Sequence, residues 1–326
     1  MSELALAVFG AAVDSHVVDE PKDQRFERFR RRFDEAAVRA RLAAQGIRFV
    51  ARSEPEYPDA LRAIFDPPPG LFLRGEASVD LLDRAAVAVV GARACSPYGR
   101  HVARTFGRDL AAAGLVVVSG MARGVDGEAH RGALEAGGVT VAVLGCGVDR
   151  DYPAGHAELA RKIAREGLIV SEYPPGVMPT PWRFPARNRI VAGLAAATVV
   201  VEARAKSGAL ITADLALDEG REVFAVPGEI TSALSAGTNA LIRLGATAAT
   251  GAADVLEVFG LAPAEAPTVA LTGAAEEALA RLRDGAASAD ELVRGLRTDA
   301  SAVAAALTEL ELNGLVTETA GIFRAR

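Results

Sequence analysis

Cysteine is nearly missing from this chain: Cys95 and Cys146 are the two in 326 residues. Two thiols build no disulfide framework, and the four histidines include no pair at ligand spacing, so neither redox nor metal chemistry is suggested. No apolar segment reaches the roughly 20 residues that span a bilayer. The start, Met1-Ser2-Glu3-Leu4-Ala5, lacks the basic and apolar regions of a signal peptide, so a cytoplasmic protein without a membrane span is expected. Aromatic residues are scarce at 5%, while half the chain is hydrophobic and Ala, Val, Leu and Gly dominate, a composition that suits helices packed on a parallel sheet. A positive balance is lacking too. The formal charge of -6 argues mildly against a polyanion partner held by general surface charge. Its distribution is uneven: residues 21–48 hold nine Lys or Arg against four Asp or Glu, and residues 268–326 hold six against nine.

The length allows about two domains and a small third. Residues 1–46 read as helical, with Phe26, Phe29, Phe33, Ala37, Val38 and Leu42 at intervals of three or four and arginines between them. Short strands near 46–51 and 71–75 lead into a regular alternation from residue 86. Strands are expected over 87–90, 115–119, 139–144, 168–171, 198–202 and 222–226, with helices over 98–113, 126–136, 157–165, 188–194, from Ser207 to 219, 239–244 and 253–259. Such alternation specifies right-handed crossovers and a doubly wound, mainly parallel α/β sheet over residues 47–262. Residues 263–267, Pro-Ala-Glu-Ala-Pro, read as a linker. Residues 268–326 then give three short helices, with Ser288 and Ser301 as expected N-caps, and a terminal hairpin, the pattern of a winged helix.

Ligands of open parallel sheets bind beyond the carboxyl ends of the strands. Four loops there carry phosphate-binding parts. Gly91 and Arg93 follow the first strand of the alternation; Ser119, Gly120, Arg123 and Gly124 follow the second; Phe184 and Arg187 lie between Ser171 and the next helix, which Asn188 opens; Lys206, Ser207 and Gly208 open the helix after Glu202. Glycines admit a ligand to the backbone, arginines offer a fork to phosphate oxygens, and the first turn of a capped helix points N–H groups outward. Arg204 is left outside the set as a flanking cation. Each feature also has a plain structural explanation: glycines permit tight turns, Arg189 can pair with Glu172 or Glu202, and Phe184 can be packing. The dinucleotide fingerprint is incomplete at Gly91 and at Gly145-Cys146-Gly147, and no glycine frame precedes Lys206-Ser207, so neither nucleotide class is supported. Asp126 and His130 share a helix face, but an acid at a helix start is ordinarily a charge-dipole match, and no catalytic group is assigned. Cys95 reads as a small filler residue.

Gly91-Ala92-Arg93, Ser119 through Asp126 with Ala129-His130, Gly145 through Tyr152-Pro153, Ser171-Glu172-Tyr173, Phe184 through Arg189, Lys206-Ser207-Gly208 with Thr212-Ala213, and Val226-Pro227-Gly228 stand in the order seen in the DNA-processing protein A (DprA/Smf) family, which residues 50–260 resemble. The tail resembles the winged helix that many members carry, and residues 1–46 loosely resemble a sterile-alpha-motif-like domain. The resemblance implies an extended Rossmann-like fold, a homodimer, and binding of single-stranded DNA without reading its sequence. It also implies protection of incoming strands and loading of the RecA recombinase in natural transformation. The DNA-binding residues it implies are Gly91, Arg93, the loop from Ser119 to Gly124, Phe184, Arg187, Asn188 and Lys206 to Gly208. The family commonly has Gly-Ser-Arg where Ala92 stands, so one hydroxyl contact to phosphate is lost. Consecutive anion loops suit a DNA backbone, and Phe184 can stack a base for about 1–3 kcal/mol whatever its identity. The acidic tail, with Glu309 and Glu311 late in its third helix, points to dimer or partner contacts rather than duplex binding. A competing reading, a Rossmann-fold nucleotide phosphoribohydrolase, lacks the Gly-Gly-Gly-x-Gly-Thr loop of those enzymes.

Overall fold

The computed structural model describes residues 2–13, 24–264, 271–319 and 321–325. It divides into two units, Met1–Ala264 and Glu265–Arg326. Residues 14–23 of the helical start, 265–267 of the expected linker and the first three residues of the expected winged helix lie outside the described residues.

The first unit opens with helices α1 (Glu3–Ala12), α2 (Gln24–Arg30) and α3 (Glu35–Ala44). Ser2 and Asp34 cap α1 and α3 by accepting from the amides of Ala5 and Ala37. Phe26 is fully buried, edge-on to Phe9 with ring centroids 5.3 Å apart. The apolar stripe thus closes a small satellite core, and Arg28, Arg30, Arg31, Arg32, Arg39 and Arg41 all remain exposed.

Chain order then runs β1 (Ile47–Ala51), α4 (Asp59–Arg62), β2 (Gly70–Arg74), β3 (Ala86–Val90), α5 (Pro97–Ala112), β4 (Val116–Ser119), α6 (Val125–Glu135), β5 (Thr140–Val143), α7 (Ala157–Glu166) and β6 (Leu168–Ser171). It continues with α8 (Arg183–Gly193), β7 (Ala197–Val200), α9 (Gly208–Asp218), β8 (Glu222–Ala225), α10 (Ala236–Arg243), β9 (Thr247–Ala248) and α11 (Ala252–Leu256). The nine strands form one sheet in the order β1-β2-β6-β5-β4-β3-β7-β8-β9. From β6 to β9 neighbours are parallel, while β2 pairs antiparallel with both β1 and β6. This is the doubly wound, mainly parallel sheet that the alternation implies.

Strand residues alternate between two apolar layers. Ala88, Val90, Val118 and Val143 pack with Ile190, Ala213 and Leu241 on one face; Val87, Val89 and Val117 pack with Phe106, Leu110 and Ala129 on the other. Each fully buried aliphatic side chain contributes roughly 1.5–3 kcal/mol, so burial on both faces holds these strands firmly in the sheet.

Strand order decides where a ligand can sit. The chain winds outward from β3 through β4, β5 and β6, then returns to place β7 on the other side of β3. The loops after β3 and β7 therefore diverge from neighbouring strands, opening a crevice at the switch point.

Several element ends fall one to three residues from expectation, as where α10 starts at Ala236 rather than at 239, and two differences matter more. Helix α8 begins at Arg183, five residues ahead of the expected start at 188, because Pro185 occupies its first turn, where a missing N–H breaks no helical bond. Phe184 and Arg187 therefore lie on the same helix as Asn188 rather than in a loop before it. In the second unit, built of α12 (Gly273–Arg283), β10 (Ala287–Ser288), α13 (Ala289–Leu296), α14 (Ala300–Leu312), β11 (Val316–Thr319) and β12 (Ile322–Ala325), the cap of α14 is Asp299, not Ser301. The Asp299 carboxylate accepts from the Ala302 amide at 2.8 Å and also matches the helix dipole, which leaves Ser301 inside the first turn. Ser288 caps α13 as expected, in a capping box with Glu291. Three helices on a three-stranded sheet, around Ala278, Leu282, Leu292, Val303 and Leu310, make this unit a winged helix. Among the described residues no helix is long and apolar enough to cross a membrane.

Candidate functional site

A cleft of about 310 Å³ opens at the switch point. Gly91 and Arg93 reach it from the loop after β3, Gly120 and Asp126 from the loop after β4 and the start of α6, and Arg204, Lys206, Ser207 and Gly208 from the loop after β7. Phe184, Arg187, Asn188 and Val191 line it from α8. Their offsets of three, four and seven residues put these four on one helix face, which explains why the helix, unlike a loop, delivers them together.

Ser119, Arg123 and Gly124 are not part of the lining. Ser119 is fully buried and its hydroxyl donates to the Val89 carbonyl at 2.7 Å, so it ties β4 to β3 and is corrected from ligand to sheet bond. Arg123 is exposed beside the cleft. Gly124 has φ +76° and would place a Cβ 2.3 Å from the Ala92 carbonyl oxygen, so it is the hinge on which the two loops meet. Gly91 and Gly120 are likewise demanded by the fold, since a Cβ would press on Val125 at 2.7 Å and on Arg187 at 2.6 Å. Gly208 differs. Nothing lies within 4 Å of a Cβ built there, and its φ needs no glycine.

The charges separate into buried and exposed sets. Arg187 is buried; it donates to the carbonyls of Gly120 at 2.7 Å and of Val143, and burial pulls its pKa down to about 10. It still carries its charge at neutral pH, held within the cleft wall. Asp126, the carboxylate in the lining, accepts from the Ala122 amide at 3.2 Å, and burial pushes its pKa up. Arg93, Arg204 and Lys206 are exposed. The Arg93 guanidinium lies 5.2 Å from the centre of the Phe184 ring, over its face, and Phe184 stacks on Tyr152 with centroids 5.4 Å apart. Ser207 caps α9, accepting from the Ala209 amide, while Asn188 donates to the Gly208 carbonyl at 3.1 Å and thereby binds α8 to α9. The Ala92 amide is taken by the Glu202 carbonyl at 2.7 Å, so that backbone donor belongs to the fold.

Two further carboxylates, outside the lining, are engaged in the fold. Glu202 accepts from the amide of Ser96 at 2.9 Å and from its hydroxyl at 2.5 Å. Glu172 receives both terminal guanidinium nitrogens of Arg189 at 2.8 Å, and Nε of Arg189 pairs with Asp66 at 3.1 Å, so that arginine serves Glu172 and Asp66 rather than Glu202. His130 is turned to the sheet, with Nδ1 2.7 Å from the Thr140 hydroxyl and its pKa lowered by burial to about 3; it forms no dyad with Asp126. Burial also raises the Cys95 thiol above its ordinary pKa, the opposite of activation. Sequence reasoning undervalued Arg204, although it stands two residues before Lys206 in the same loop, and missed Tyr152, whose contact with Phe184 is visible only in the fold.

Fold and cleft together define a class: a doubly wound α/β protein with a cationic, aromatic-flanked switch-point crevice, joined to a winged-helix unit. Residues 48–260 match the family model for DNA recombination-mediator protein A, and residues 262–321 match the DprA winged helix domain. The DNA processing protein DprA of Streptococcus pneumoniae is 46% identical over 203 residues, 62% of this chain and 71% of the relative. A crystal structure of DprA from S. pneumoniae superposes with a TM-score of 0.68 at 37% identity, covering 78% of this chain and 93% of that one. DNA processing protein A from Helicobacter pylori, solved to define its mode of binding single-stranded DNA, gives a TM-score of 0.59 at 33% identity, covering 65% and 95%. The chain belongs to the DNA recombination-mediator protein A family, the DprA/Smf DNA processing proteins.

Proposed function

We propose that this protein binds single-stranded DNA without sequence preference, protects incoming strands in the cytoplasm, and helps load the RecA recombinase in natural transformation and recombination. It acts as a homodimer and without catalysis of its own. The observation that carries the reading is the convergence of Arg93, Arg204 and Lys206, all exposed, with Phe184 and the open backbone at Gly208 in one cleft. Cations neutralise phosphates and a ring accepts any base, neither of which depends on sequence. The single-stranded-DNA-binding H. pylori relative and its shared fold support it. Exposed apolar residues Ile211, Leu217, Ile230 and Leu244 supply surface for a second copy or a recombinase.

Titration with an oligonucleotide at several salt concentrations tests this. Three phosphates neutralised by the cleft cations give a slope of log affinity against log salt of about -2, at roughly 0.7 per phosphate. Arg93→Ala or Lys206→Ala should each flatten it by about 0.7, alike for every sequence. Salt-insensitive binding, or none, rejects the proposal. The phosphoribohydrolase reading would instead need free base released from a nucleoside monophosphate and lost in Glu202→Gln. The engagement of Glu202 with Ser96 and of Glu172 with Arg189 speaks against it.

A further inference from the structure

We propose that Tyr152 is a second base-stacking platform, carrying the DNA strand out of the cleft along the carboxyl edge of the sheet to the loop after β5; this rests on the single-stranded-DNA reading above. Strand order supplies the path. The loops after β7, β3, β4 and β5 are successive neighbours along that edge, and at about 4.8 Å per strand they span roughly 15 Å. They present, in that order, Lys206, Arg93, Arg123 and Tyr152, all exposed. Three cations in a row are thus followed by a ring.

The ring is placed to receive a base. Phe184, the aromatic of the cleft, is half-buried and already engaged, with the Arg93 guanidinium over its face and Tyr152 stacked on it at 26° between planes. Of the two stacked rings Tyr152 is the more open to solvent, 40% exposed. The loop that carries it is held from several sides. Asp149 accepts from the Gly176 amide at 2.9 Å and Arg150 donates to the Gly176 carbonyl at 3.1 Å. Asp151 pairs with Arg74 at 2.7 Å, and His156 Nδ1 reaches the Met121 carbonyl at 3.1 Å. A platform fixed before binding costs little ordering entropy when a base arrives. In a chain with so few aromatic rings, packing alone gives no reason to leave one of them stacked, clamped and open to solvent beside a row of cations.

Fluorescence anisotropy with the full-length protein tests the proposal, using oligothymidylate and an abasic strand of equal length, together with crosslinking of an iodouracil-substituted strand. Tyr152→Ala should weaken oligothymidylate binding by about 5- to 150-fold, the worth of one stacked base, with the salt slope unchanged. Tyr152→Phe should retain affinity, the abasic strand should bind Tyr152→Ala and wild type alike, and crosslinks should map to Tyr152. Undiminished oligothymidylate binding by Tyr152→Ala overturns the proposal. So does an equal loss on the abasic strand, which would make Tyr152 a prop for its loop, and so do crosslinks confined to Phe184. If the wild-type protein binds neither strand, it is the single-stranded-DNA reading itself that fails.

Discussion

Two glycines, Gly208 in the cleft lining and Gly124 outside it, should respond in opposite ways to one added methyl group. At Gly124, φ is +76° and a Cβ would lie 2.3 Å from the Ala92 carbonyl oxygen and 2.6 Å from that of Arg93. A side chain held in that backbone region costs about 1–3 kcal/mol. The clash adds to this, because both carbonyls are backbone atoms of the loop after β3 and must retreat by about an ångström to reach ordinary contact. A destabilisation of about 3 kcal/mol or more follows for Gly124→Ala, a fall in Tm of roughly 6–12 °C for a unit of this size. At Gly208 the added methyl meets nothing within 4 Å and the residue is the first of α9. Gly208→Ala should be neutral or stabilise by up to about 1 kcal/mol. On the proposed function its cost should appear in binding instead, because the methyl group would crowd a phosphate approaching the open backbone at Gly208. Loss of one charge-assisted hydrogen bond weakens affinity by about ten- to 150-fold. Thermal unfolding and oligonucleotide anisotropy on both variants read the two effects separately. A Gly124→Ala protein as stable as wild type, or a Gly208→Ala protein that binds DNA as wild type does, refutes the corresponding half of the reasoning.

Arg189→Ala should cost about 3–5 kcal/mol of stability, seen as a lowered denaturant midpoint, because it strands the 8%-exposed Glu172 carboxylate in the core. The neutral, buried His130, with its pKa lowered to about 3, takes up no proton until well after the unfolded chain does near pH 6.5. Its contribution is therefore complete above pH 6.5 and is lost as pH falls toward 3, at up to about 1.4 kcal/mol per pH unit. His130→Gln should flatten that part of the stability profile relative to wild type, a comparison that cancels the opposite trend from the raised carboxyl of Asp126. Residues 268–326 alone should not retard duplex DNA in a gel at moderate salt, since the exposed face of α14 carries Ser301, Ala304, Ala305, Thr308 and Glu311 and no cation; a shift would reverse this assignment.

What could be read from the sequence was what local physics settles. Buried strands announce themselves as runs such as Val87 to Val90, amphipathic helices by their period, and caps such as Ser207 and Ser288 by position, so the doubly wound sheet and the winged helix were legible in advance. Misreadings arose where a residue has two local meanings. Pro185 marks a loop or the first turn of a helix, and Asp299 and Ser301 can both cap, so tertiary contacts had to choose. The same ambiguity governs the cleft. Arg93, Arg183, Arg187, Arg189, Arg204 and Lys206 are equal in sequence as cations near strand ends, yet Arg189 serves Glu172, Arg183 lies over Tyr173, and Arg187 holds the carbonyls of Gly120 and Val143. Each of those fixes the wall against which Arg93, Arg204 and Lys206 stand exposed. On the single-stranded-DNA reading, the paired and buried cations hold the wall while the exposed ones stand free to meet phosphates, and sheet topology, which no local pattern encodes, makes that division of labour.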